Sequence, residues 1–167
     1  MSREEKLAKV PLEARMEITA KGLSGAMNAY GLALRQAVGE EKYLEFEQAL
    51  FKEAGRSAKP IIDRFGLAAG TVKDFAETIS CIGTICFGPG YQSRVVETGE
   101  TRCVGRTKMC PIRDRQVEAG ITNDASCAKK HKKYVEGVLE ALGLDFTFEV
   151  ANYMAQGGSY CEWAISK

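Results

Sequence analysis

The first 80 residues contain no cysteine, although the chain has six, and histidine occurs once, at His131. Charge of neither sign is in excess: the net formal charge is +1, too little to draw in nucleic acid or an acidic membrane surface. No apolar run approaches the ~20 residues that a membrane span needs. The N-terminus, Met1-Ser2-Arg3-Glu4-Glu5-Lys6, leads into no hydrophobic secretion segment, so a cytoplasmic location is expected. Paired CxxC spacing, a Ser-centred elbow, a dinucleotide fingerprint and a Walker loop are all missing. Aromatic residues are few and not interleaved with basic ones, which argues against single-strand nucleic-acid binding. Repeats, low-complexity tracts and a domain linker are absent too.

What is present begins with an ordinary soluble composition, 45% hydrophobic and 27% charged over 167 residues. A chain of this length buries about 70% of its unfolded surface and needs no disulfide staple. In a reducing compartment the six cysteines are expected as thiols. The expectation is one α+β domain over 1–167, with a helical half at about 1–82 and a sheet-and-helix half at about 83–167.

In the first half, Met16, Ala20, Leu23, Met27, Tyr30, Leu34 and Val38 recur at steps of three and four. They predict a long helix with that stripe buried. Gly22, Gly25 and Gly31 read as points of close helix–helix approach rather than a phosphate loop, because no strand precedes them. Gly39 ends the helix. Tyr43, Phe46, Leu50 and Ala54 mark the next one, disturbed near Pro60. Thr71-x-x-Asp74 opens a third, with Val72, Phe75, Ile79 and Ile82 behind it.

From Gly83 the period shifts towards two. Thr84 to Phe87 reads as a short strand, and Tyr91 to Glu97 with Thr101 to Lys108 as a β-hairpin around Thr98-Gly99-Glu100. Pro111 suits the first position of a helix. A further helix is expected from about Asp124 to Leu142, with Asn123 as a cap and Gly143 as its stop. Leu144, Phe146, Phe148 and Val150 alternate with Asp145, Thr147 and Glu149, which predicts a strand. It turns at Gln156-Gly157-Gly158 and returns as Ser159 to Ser166, with Cys161, Trp163 and Ile165 facing the core. The architecture is a helical layer on an antiparallel sheet that ends in a C-terminal hairpin.

Thiolates are strong nucleophiles and good metal ligands, so the cysteines and the lone histidine are the chemical candidates. Cys127 and His131 lie four apart on one helical face. An imidazole there can activate a thiol as a nucleophile, or both side chains can ligate an ion. Otherwise they are a core thiol and a boundary histidine within the basic run Lys129-Lys130-His131-Lys132-Lys133, itself read as a solvated helix side. Cys110 sits at a helix start, where a thiol's pKa falls, and Cys161 points inward from the last strand. Cys81, Cys86 and Cys103 read as core or hairpin filler. Cys110, Cys127, His131 and Cys161 are therefore the candidate catalytic set, and the candidate ligand set if zinc or iron is bound. The sequence announces no cofactor.

Cys110-Pro111, then Cys127 before a long helix, then Gly157-Gly158-Ser159-Tyr160-Cys161-Glu162-Trp163 closing the chain, resemble the L-2-amino-thiazoline-4-carboxylic acid hydrolase-like family over roughly residues 70 to 167. The layout is also loosely similar to the 4-vinyl reductase ligand-binding domains of the TRAPP-like α+β fold. The first resemblance implies hydrolytic opening of a carbon–nitrogen bond in a cysteine-rich pocket, with Arg113 or Arg115 holding a substrate carboxylate. The second implies a non-catalytic small-molecule or metal-binding module. Either way the partner is a small molecule, with no nucleic acid and no membrane, and a homo-oligomer is left open.

Overall fold

The computed structural model describes residues 1–121, 124 and 126–167; Asn123, expected as a helix cap, lies outside them. Among these residues the chain is α+β. The helices are α1 (Arg3–Ala8), α2 (Leu12–Val38), α3 (Glu40–Arg56), α4 (Lys59–Phe65), α5 (Val72–Phe87), α6 (Pro111–Glu118) and α7 (Cys127–Leu142). The strands are β1 (Gln92–Thr98), β2 (Arg102–Met109), β3 (Thr147–Asn152) and β4 (Cys161–Ser166). They form one antiparallel sheet in the order β1-β2-β4-β3.

The terminal hairpin has the register that alternation demands. Phe148 pairs with Ile165 and Val150 with Trp163, Phe148, Trp163 and Ile165 are buried, and Glu149 faces water. A one-residue slip would exchange those faces. Phe146 is partly buried and packs at 6.0 Å from the Phe75 ring. Helices α5 and α7 lie on the sheet, and α3 stacks on α7. The core is where these layers meet: Phe75, Ile79 and Ile82 of α5, Val135, Val138 and Leu139 of α7, and Trp163 and Ile165 of β4.

Helix α5 begins as expected, with Thr71 Oγ1 accepting from the Asp74 amide at 3.1 Å. It does not end at Ile82. Thr84 to Phe87 are helical, not a strand, and the stop is Gly88 at φ +78°. Four residues with two β-branched side chains are too few to outweigh an established helix. Gly83 does not break it either, because the Tyr91 ring occupies the room a side chain would need: a β-carbon there would lie 2.1 Å from Tyr91 Cε1.

Helix α2 forms over the expected range, but its stripe is not buried. Met16 is 44% exposed, Leu23 52%, Tyr30 78% and Leu34 40%, and only Ser24 is fully buried in the whole helix. The reason is position: α2 packs outside α3 and α6, one layer away from the sheet, so it has no second apolar layer to cover it. Its glycines do not mediate close approach as expected. A β-carbon added at Gly22 or Gly25 would meet nothing within 4 Å, and one at Gly31 would meet only the Tyr43 side chain, its hydroxyl at 3.0 Å.

Candidate functional site

The chain brings three of its thiols together from three elements. Cys110 is the extended residue that caps α6, fixed by Pro111 behind it. Cys127 opens α7, and Cys161 opens β4, where its sulfur accepts the Met154 amide at 3.4 Å. Each lies within electrostatic reach of another. Burial pushes the Cys110 thiol up to about 11, with Cys161 adding to the shift. Burial likewise pushes Cys127 up to about 12, opposed by Lys130 and reinforced by Cys110 and Cys161. Cys161 is raised for the same reason, desolvation. The Tyr91 phenol joins them, raised by burial to about 12 and sensing both Cys110 and Cys161. A thiol that must lose hydration to ionise stays protonated at neutral pH, so this cluster holds neutral S–H groups.

His131 does not activate them. Its ring sits edge-on to Phe148 at 4.8 Å, and burial lowers its pKa to about 4, leaving it neutral. It shares a helical face with Cys127 but overlies β3. Cys103 is core, as expected. Cys81 and Cys86, expected as filler, are exposed instead. Among the described residues no group of three or more histidine, cysteine and acidic side chains is placed to hold a metal ion; the zinc or iron expectation therefore finds no ligand set there. Arg113 donates to the Ile121 carbonyl at 2.8 Å, and Arg115 pairs with Glu118; both arginines are engaged within the chain.

A second feature was not visible in the sequence. Between α2, α3 and α6 lies a cavity of about 610 Å³, walled by Leu23, Met27, Leu34, Phe46 and Leu50. A neighbouring cavity of about 490 Å³ shares Met27, Leu50 and Phe51 with it and runs on to Ala58, Cys86 and Tyr134. At the inner end of the larger one, Lys130 is clamped between two carboxylates, Asp124 at 2.9 Å and Glu47 at 3.0 Å. Ser126 Oγ donates to Asp124 at 2.6 Å and lies 3.1 Å from Glu47, Gln116 Nε2 donates to Asp124 at 2.8 Å, and the Tyr43 hydroxyl donates to Glu47.

Charge on both partners is the stable state. Against the cost of burial, the Ser126 and Lys130 donors hold the Asp124 carboxyl below its usual range. Against the same cost, Glu47 and Asp124 raise the Lys130 ammonium. Removing either sign would strand the other in a poorly hydrated place. Lys130, 8% exposed, corrects the reading of the basic run as a solvated helix side. The signal was available: Lys130 lies three after Cys127 and four before Tyr134, on the inward face of α7 rather than the outward one.

A scan of protein-family models and a search of curated sequences find no match. Solved structures do match in fold. One is a trafficking protein particle complex subunit 3 from Naegleria fowleri, covalently bound to palmitic acid: TM-score 0.65, 16% identity, covering 89% of this chain and 95% of that one. Another is the phenol-responsive sensory domain of the transcription activator PoxR, with phenol: TM-score 0.63, 12% identity, covering 86% of this chain and 73% of that one. The chain has the α+β fold of these two proteins.

Proposed function

We propose that the protein is a small-molecule-binding module whose site is the cavity between α2, α3 and α6. The observation that carries this is the cavity itself: about 610 Å³ of largely apolar space with a buried ion network of Lys130, Asp124 and Glu47 at one end. That size and lining are those of a small-molecule site, apolar walls with a few placed polar groups. Both solved proteins of similar fold hold a small, mainly apolar molecule, which agrees with the reading. The hydrolytic alternative, opening a carbon–nitrogen bond, needs a thiolate or an activated water. The neutral thiols of Cys110, Cys127 and Cys161 and the unprotonated His131 beside Phe148 supply no such group, and the balance falls to binding.

Titration with a neutral environment-sensitive dye such as Nile red tests the site. The expected result is saturable binding that is lost in Leu23→Glu, which puts a charge on the cavity wall at an exposed position where folding should tolerate it. Equal binding by the variant and the parent chain would remove the cavity from consideration.

A further inference from the structure

The polar end of the cavity is specified by chemistry. Ionised Asp124 only accepts hydrogen bonds, so the Gln116 amide must turn its Nε2 towards it, as it does at 2.8 Å. Gln116 Oε1 is thereby directed away from the network. It belongs to a side chain 2% exposed and has no donor among the described residues. On α2, the Asn28 side-chain nitrogen is also buried without a partner among them. Both residues line the cavity.

The donors of the ion network are committed within it. Lys130 serves Asp124 and Glu47, the Ser126 hydroxyl Asp124, and the Tyr43 hydroxyl Glu47. A buried acceptor left unmade is costly, so a group that supplied the missing donor would gain affinity from it. Charge restricts the choice. Arg35 is paired with Glu40 at 2.8 Å and stacked over Tyr43, and Lys130 has its two carboxylates. Two cations and two carboxylates, Glu47 and Asp124, thus line this end, with Arg35 turned to Glu40 outside the lining. A further anion would have to draw one of these cations away from a carboxylate that already holds it.

We propose that the cavity selects an apolar molecule bearing an uncharged hydroxyl, which donates to Gln116 Oε1 and accepts from Asn28 Nδ2. This rests on the cavity being the binding site, as argued above. A carboxylate is disfavoured because both cations are already paired, and an ether by having no donor.

Competition against Nile red with three probes of matched chain, 1-octanol, octanoate and methyl octyl ether, separates the inference from the reading beneath it. The expected result is octanol binding roughly tenfold tighter than either of the others. Gln116→Met should reduce octanol to the level of the ether, with the far-UV circular dichroism unchanged. Asn28→Leu, at a partly exposed position of α2, provides the same comparison if the first variant does not fold. Octanoate or the ether equalling octanol would overturn the hydroxyl preference while leaving the cavity as the site. Failure of all three to compete with the dye would overturn both.

Discussion

Gly55 of α3 and Gly137 of α7 allow the two helices to touch backbone to backbone. A β-carbon on Gly55 would lie 2.0 Å from the Tyr134 carbonyl oxygen, and one on Gly137 2.0 Å from that of Lys52. Neither obstacle is a side-chain tip that can swing aside. Gly137→Ala should therefore destabilise by about 2–3 kcal/mol even after the ~1 kcal/mol gained in helix propensity. Gly22→Ala, with open space around it, should show the opposite sign and stabilise by up to about 1 kcal/mol. Urea unfolding of the two variants is the check, and a Gly137→Ala protein as stable as its parent would mean that α3 and α7 are not in contact there.

Lys130→Met should be among the most damaging single changes, about 3–5 kcal/mol, because it leaves Glu47 and Asp124 buried without their cation. In the parent chain the sign of the pH dependence follows from the two shifts. Asp124 is held below its ordinary 3.8, so its contribution is present above that value and disappears as pH falls through the lower folded pKa. Lys130 is held above its ordinary 10.5, so its contribution is present below that value and disappears as pH rises beyond it. Unfolding midpoints for Lys130→Met that lose the alkaline dependence and change the acid one, where the Ser126 donor remains, are the expected outcome.

His131 governs a different window. Its folded pKa is about 4 against an ordinary 6.5, so between these values the unfolded chain binds a proton that the folded one refuses. Stability should decline steadily as pH falls from 6.5 towards 4. His131→Phe, placed against Phe148, should flatten that slope without removing the acid limb below 3.8 set by Asp124. A slope unchanged in the variant would assign the titration elsewhere.

Thiol titration at about pH 7.5 should resolve a fast class containing exposed Cys81 and a slow class containing Cys110, Cys127 and Cys161. Burial raises the Cys86 thiol, so although exposed it should react more slowly than Cys81, and Cys81→Ser should remove the fast phase. If Cys127→Ser removes it instead, the thiol is ionised and the nucleophilic reading returns.

Strand alternation from Phe146 to Val150 and the Cys161–Ile165 return are legible in the sequence because a period of two can satisfy only one register against a buried face. The length of α2 is legible for a similar reason, yet its burial is not. Periodicity reports which face is apolar, and only the layering of α3 and α6 decides whether that face is covered. The thiol neighbourhood follows from inward-pointing positions on three elements. The cavity does not, since Asn28, Glu47, Gln116 and Lys130 lie far apart along the chain and acquire meaning only when α2, α3, α6 and α7 pack. Lys130 is hidden by its neighbours: among the lysines flanking His131, the single one that turns inward is distinguished by helical phase alone.

Three glycines and a single fully buried serine leave α2 tethered to the rest of the molecule along one flank. Its amide protons should therefore exchange through a local opening well below the free energy of global unfolding. Those of α5, with Phe75, Ala76, Ile79 and Ile82 enclosed, should exchange only when the whole chain unfolds. A wall that detaches at low cost gives the cavity a door, and the rate at which α2 lifts would set how fast a molecule enters and leaves.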